Sequence, residues 1–241
     1  MNGKIYSIES MGLVDGPGIR YVVFLQGCNL KCSFCHNPDS QFIRGGTKIS
    51  ADELMKRITR FRPYFERSRG GVTFSGGEPL IQSKFLSEML KLCKKEGIHT
   101  CLDTSGSVRC NFDDILQNTD LVLYDVKAIT AESYRQICGG DIAVTEEFQK
   151  ALLLNNTETI IRQVVVPGIN DGEQYMSSLK QYIKEKLPHA TKVELLPYHL
   201  MGLHKYVANG IKCPLDGVPA MDKSRTMELQ TKFFSLRGEF L

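Results

Sequence analysis

Short β-rich runs that alternate with amphipathic helical stretches predict an α/β fold built on a parallel sheet. Two further observations support this. Six such runs, rich in Val, Ile, Leu, Phe and Tyr, recur along the 241 residues. Polar residues fall at the carboxyl ends of successive runs, where barrel-type α/β enzymes build their active sites.

The strands are expected at Tyr21 to Gln26, Gly71 to Ser75, His99 to Asp103, Leu121 to Val126, Thr159 to Val166 and Lys192 to Leu196. Residues 1 to 20 read as an arm packed onto the domain. Ser50 to Glu66 opens with a capping box, Ser50-x-x-Glu53, and places Leu54, Ile58, Phe61 and Phe65 on one helical face. Pro79 suits the start of the next helix, and Gly97 suits its end after Lys94 and Lys95. Shorter helical pieces are expected at Asp113 to Gln117, Ala131 to Gln136 and Thr145 to Leu154. Asn170-Asp171 is expected to cap a helix carrying Met176, Leu179, Ile183 and Leu187, which Pro188 stops. Gly202 to Ala220 has little periodicity and reads as an ordered loop, and Asp222 to Arg237 as a last helix. No linker, repeat or low-complexity tract intervenes. Residues 1–241 are therefore expected to form a single domain: an arm (1–20), a core (21–200), and a C-terminal loop and helix (201–241).

Composition narrows the class. A net charge of +3 with no dense Lys/Arg run argues against nucleic acid. No apolar stretch approaches the roughly 18 residues of a membrane span. The first residues lack the apolar core of a signal peptide, so a soluble cytoplasmic protein is expected. In that setting, eight cysteines point to metal binding or catalysis rather than disulfides.

Three of the cysteines crowd into Cys28-Asn-Leu-Lys-Cys32-Ser-Phe-Cys35, directly after the first strand. Three thiolates can hold three irons of a cubane cluster and leave the fourth open, an arrangement suited to catalysis. Structural zinc is the alternative, with His36 completing a Cys3His set. Such sites usually draw ligand pairs from separate segments, and no second pair exists here. Cys93, Cys101, Cys110, Cys138 and Cys213 are scattered and read as small hydrophobes.

The C-x3-C-x-aromatic-C pattern, with Phe34 as the aromatic, resembles the signature of the radical S-adenosylmethionine (SAM) superfamily. The resemblance implies one 4Fe–4S cluster on Cys28, Cys32 and Cys35, with SAM on the open iron. Reductive cleavage of SAM then yields a 5′-deoxyadenosyl radical. Gly76-Gly77-Glu78 follows the second strand and resembles the family's GGE motif, which contacts the amino group of SAM. Asp103-Thr104, Asp125, Lys127, Arg162 and His199 end or follow later strands. Any one alone reads as a solvated loop residue; their recurrence points to one site.

Val14-Asp15-Gly16-Pro17-Gly18-Ile19-Arg20 is similar to the signature of glycyl-radical-enzyme activases, and the likeness continues to Leu215-Asp216-Gly217-Val218. That family implies a partial (β/α)6 TIM-type barrel, open on one side to admit a loop of a protein substrate. It also implies that Asp103, Thr104 and Asp125 hold a monovalent cation, Na+ or K+, and that Lys127, Arg162 and His199 surround SAM. Asp15 and His36 match positions near the partner's glycyl loop. Only 14 residues separate Cys35 from Ser50, too few for the ferredoxin-like insert of many activases. This favours the pyruvate formate-lyase type, with a glycyl radical enzyme as substrate, flavodoxin or a similar protein as reductant, and a monomeric chain. An activase of another glycyl radical enzyme, a radical SAM enzyme of small molecules and a zinc- or cluster-binding regulator are the competing readings.

Overall fold

The computed structural model describes residues 1–234. The chain opens with β1 (Asn2–Gly12) and returns antiparallel as β2 (Arg20–Leu25). After the cysteine loop, β3 (Thr47–Ser50) pairs antiparallel with β1. From there strands and helices alternate. Helices α1 (Ala51–Thr59) and α2 (Arg62–Ser68) lead to β4 (Gly71–Gly76), and α3 (Ser83–Lys95) to β5 (His99–Thr104). Helix α4 (Phe112–Leu116) leads to β6 (Leu121–Asp125). Next, α5 (Ala131–Cys138) and α6 (Ile142–Asn155) lead to β7 (Glu158–Val165), and α7 (Glu173–Lys186) to β8 (Lys192–Pro197). Helices α8 (Leu203–Ala208) and α9 (Lys223–Phe234) follow.

The sheet order is β3-β1-β2-β4-β5-β6-β7-β8. The six strands from β2 to β8 run parallel, each within a residue of its expected bounds. Among the described residues β3 and β8 each pair on one side only, so the sheet is a partial barrel open on one side. The apolar faces of the helices complete the core; α3, for example, buries Phe85, Leu86, Met89, Leu90 and Cys93. Among the described residues no helix is long and apolar enough to cross a membrane.

Several expectations need correction. Most of the arm is strand β1. It was illegible because only Gly3, Ile5 and Gly12 are buried along it, too few to print an alternation. Gly3 is required there, since a Cβ would fall 2.3 Å from the Phe85 ring. The Ser50 to Glu66 helix is two helices. Ser50 does cap the first, accepting from Glu53 N at 3.2 Å. Pro63, however, fits only the first turn of a helix, so the chain breaks at Phe61 and restarts. Pro79 opens a 3-10 turn, Pro79–Gln82, ahead of α3. Asn170 and Asp171 do not cap α7. Their carboxamide and carboxylate oxygens accept from Val166 N and Gly168 N, closing the loop after β7, and Gly172 takes the cap position. The stretch read as a loop from Gly202 holds α8. Residues 235 to 237 of the expected last helix lie outside the described residues.

Candidate active site

Parallel register brings the carboxyl ends of the strands to one rim, around a cleft of about 860 Å³. Asp125 on β6 lies beside Arg162 on β7, which lies beside Glu194 on β8. Asp103 on β5 pairs with Leu123, two residues before Asp125, so both carboxylates sit on the same face of the sheet.

The cysteine loop leaves β2 through Gly27 (φ 105°). An irregular loop must find partners for its backbone N–H groups. Gly27 N donates to Ser40 O at 2.7 Å, while Lys31 N and Ser33 N donate to Cys138 O and Ile137 O, both at 2.8 Å. From the other side, the Tyr206 hydroxyl of α8 donates to Cys35 O at 2.7 Å. So held, Cys28, Cys32 and Cys35 are half-buried free thiols that line the cleft. Burial pushes Cys28 up to about 12 and raises Cys35 as well. Leu30 N donates to Cys28 Sγ at 3.4 Å.

All the other residues expected in the site line the cleft, except Glu78. Its carboxylate is 1% exposed and fully engaged by protein donors. The Thr104 hydroxyl donates at 2.5 Å, Ser105 N at 3.0 Å, the Ser105 hydroxyl at 2.7 Å and Leu80 N at 3.1 Å. Glu78 is therefore a brace between β4 and β5, not a group turned toward a ligand. The adjacent glycines are needed for backbone approach: a Cβ at Gly76 would lie 2.2 Å from Leu25 O, and one at Gly77 2.1 Å from Gly27 O. The close approach they permit is to the chain itself, beneath the cysteine loop. Thr104 accepts from Gly106 N while donating to Glu78, which leaves its hydroxyl one free lone pair.

Charge is concentrated at the rim. Lys127 Nζ lies 2.6 Å from Asp125 and 5.6 Å from the centre of the Phe34 ring. Burial works against the Lys127 charge, but Asp125 and Cys32 outweigh it and hold its pKa well above the usual value. Asp103 accepts from the Ser75 hydroxyl at 2.6 Å, and burial plus the nearby Asp125 push it up to about 6. Arg162 binds Glu194 at 3.2 Å and donates to Val14 O at 2.6 Å, tying the Asp15 segment to the rim. His36 and His199 stand with ring centres 5.0 Å apart, and burial together with His199 drives His36 down to about 4. Sequence reasoning did not assign Ser75 or Glu194 to the site. Glu194 was detectable as an acidic residue between Val193 and Leu195 in β8.

The Radical SAM superfamily profile matches residues 22–178. The chain belongs to the radical SAM superfamily. It is 48% identical over 228 residues to a pyruvate formate-lyase-activating enzyme of Clostridium pasteurianum, covering 95% of both chains. It is 44% identical over 229 residues to the pyruvate formate-lyase 1-activating enzyme of Escherichia coli K12, covering 94% of this chain and 92% of that one. Among solved structures, a domain of a pyruvate-formate lyase-activating enzyme from Bacteroides vulgatus superposes with a TM-score of 0.54 at 24% identity, over 67% of this chain and 91% of that one. Streptococcus suis SuiB bound to S-adenosylmethionine superposes with a TM-score of 0.62 at 15% identity, over 86% and 45%. These two likenesses concern the fold.

Membership of the radical SAM superfamily implies a 4Fe–4S cluster and SAM, and the donor set of this chain fits them. Among the described residues no three His, Cys, Asp or Glu side chains gather on one point as a single metal ion would require. A cubane takes one thiolate per iron, so its sulfurs surround a volume instead. Burial raises the pKa of Cys28 and Cys35, and thiols give up their protons when they bind iron.

Proposed function

We propose that this radical SAM chain is an activating oxidoreductase whose substrate is a glycyl radical enzyme, pyruvate formate-lyase (formate C-acetyltransferase). One observation carries the reading: the cysteine loop, the polar strand ends and the Asp15 segment all line a single cleft in an open-sided barrel. The relatives that bear the activating-enzyme name match 92–95% of the chain, which supports the same reading.

When bound, the cluster and SAM supply one electron and a 5′-deoxyadenosyl radical that takes a hydrogen atom from one glycine of the partner. Cys28, Cys32 and Cys35 would hold the cluster. The backbone of Gly76 and Gly77, rather than the occupied Glu78 carboxylate, would receive the amino group of SAM. Asp103, Asp125 and the remaining lone pair of Thr104 would hold Na+ or K+ beside the SAM carboxylate. A cation there offsets two carboxylates crowded near an anionic group. Lys127 and Arg162 add fixed positive charge, and Phe34 and His199 flank the ligand. Asp15 and His36 would face the partner's glycyl loop, with His36 held neutral at pH 7 by burial and by His199. Flavodoxin or a similar protein supplies the electron, and the chain works as a monomer.

The reading is tested with a pyruvate formate-lyase carrying α-deuterated glycine, incubated anaerobically with reduced chain and SAM. Deuterium should appear in 5′-deoxyadenosine, in proportion to the activated partner. Deoxyadenosine formed at the same rate without the partner, and free of deuterium, would contradict it.

A further inference from the structure

The cysteine loop joins the fold at a narrow neck, and one side chain closes it. The entry limb leaves β2 with Gln26 and carries Cys28. The exit limb carries Cys35 and His36 and returns through Asp39 to Phe42. Backbone bonds link the limbs, Gly27 N donating to Ser40 O at 2.7 Å and Cys28 N to Gln41 O at 3.2 Å. The Gln26 carboxamide adds a second set: its Nε2 donates to Phe42 O at 2.7 Å, to Asp39 O at 3.0 Å and to Ser40 O at 3.3 Å. Three carbonyls around one atom identify it as the amide nitrogen, since an oxygen there would meet acceptors alone. Gln26 is buried, so water does not stand in readily for this donor. Its backbone is held as well. Gln26 N donates to Lys4 O at 3.0 Å, and Gln82 Nε2 donates to Gln26 O at 2.9 Å. Gln82 is in turn clamped on β1, donating to Lys4 O and accepting from Lys4 N, both at 2.8 Å. Gln26 does not line the cleft, so any effect it has on the site passes through the limb it holds.

We propose that Gln26 is a positioning residue for the cluster: its carboxamide fixes the exit limb, with Cys35 and His36, relative to Cys28. The proposal rests on the reading that Cys28 and Cys35 are cluster ligands. A cubane takes one thiolate per iron in a set geometry. The separation of the limbs therefore decides how Cys28 and Cys35 close on one cluster and which way its open iron faces. Without the donor, three carbonyls of the exit limb lose a partner and the neck loosens.

The test compares two variants of the full-length chain. Gln26→Met keeps the length of the side chain without a donor. Gln26→Glu keeps its shape and puts an acceptor where the donor was. Each protein is loaded anaerobically, iron and sulfide are counted, and SAM affinity is measured by equilibrium dialysis. Gln26→Met should bind SAM about tenfold more weakly per cluster, the effect of losing roughly one net hydrogen bond. Gln26→Glu should bind more weakly still, although it is the closer match in shape. Parent-like affinity in either variant, or a Glu variant that binds better than the Met variant, would overturn the proposal. For a variant that loads no cluster, hydrogen exchange read by mass spectrometry on cluster-free parent and variant decides. Faster exchange confined to residues 26–42 supports the proposal. Exchange raised across β2 and β4 as well, or raised nowhere, overturns it, because Gln26 would then be a general prop or no prop at all. A parent that binds no iron or sulfide would instead defeat the cluster reading, and that is read before any variant is compared.

Discussion

Two arginines are buried inside this barrel, one at each end, and their surroundings are opposite. Arg20 begins β2 and is 0% exposed. It donates to the Thr73 hydroxyl at 2.9 Å, to the carbonyls of Val72, Pro17 and His99, and to the His99 ring. No carboxylate lies within salt-bridge distance of it among the described residues, and burial lowers its pKa. Arg162, at the rim, is also buried, yet it faces Asp103, Asp125 and Glu194, which outweigh that burial and raise its pKa. Both hold the same segment, Arg20 through Pro17 O and Arg162 through Val14 O. The lesson is that burial alone does not mark a functional charge. The amino end of the sheet spends its cation on neutral backbone acceptors and gains rigidity. The carboxyl end keeps a pool of unbalanced charge that a ligand can rearrange.

That contrast can be broken or sharpened by substitution. The largest effect is expected at the rim. Cys28→Ala, Cys32→Ala or Cys35→Ala should each abolish SAM cleavage while circular dichroism stays that of the folded chain. Full cleavage by any of them would remove its assigned role. At the opposite end, Arg20→Met orphans several buried acceptors and should cost about 3 kcal/mol in urea unfolding. The surviving folded protein should still load a full cluster; a cluster lost in proportion to the substitution would place Arg20 in the active site after all.

Asp103→Asn should act in two directions at once. Asp103 has a folded-state pKa of about 6 against 3.8 in the unfolded chain. Between these values the folded state binds a proton that the unfolded state has lost, so the parent loses stability as pH rises from about 4 to about 6. The Asn variant lacks that loss. At pH 7 and low salt it should be more stable by about 3 kcal/mol, and equal to the parent near pH 3.5. Its SAM affinity should nevertheless fall, because the proposed cation would lose a carboxylate. A stability gain that is the same at every pH, or an affinity unchanged across Na+ and K+ concentrations, would count against this assignment. The smallest effects belong to Cys93→Ala and Cys213→Ala, which should leave iron and sulfide content unchanged.

The parallel core was legible because its strands are buried on both faces and print apolar runs, as in Leu121, Val122, Leu123 and Tyr124. The site was legible where a chemical type recurred at strand ends. What escaped was set by tertiary contact. β1 prints no apolar alternation, and α8 is a six-residue helix held partly by Tyr206 on the cysteine loop. Glu78 looked like a ligand group because its type and position fit one, but Thr104, Ser105 and Leu80, brought to it by the fold, claim its oxygens.

The central claim is that one cleft couples the cysteine cluster to a glycine of another protein. Its most direct test mixes reduced, cluster-loaded chain with SAM and pyruvate formate-lyase under anaerobic conditions and records the electron paramagnetic resonance spectrum. The account predicts a glycyl radical doublet that grows with added chain. The doublet should be absent with Cys32→Ala, and absent when the partner's glycine is replaced by alanine. SAM cleavage at full rate with no doublet on the intact partner would contradict it.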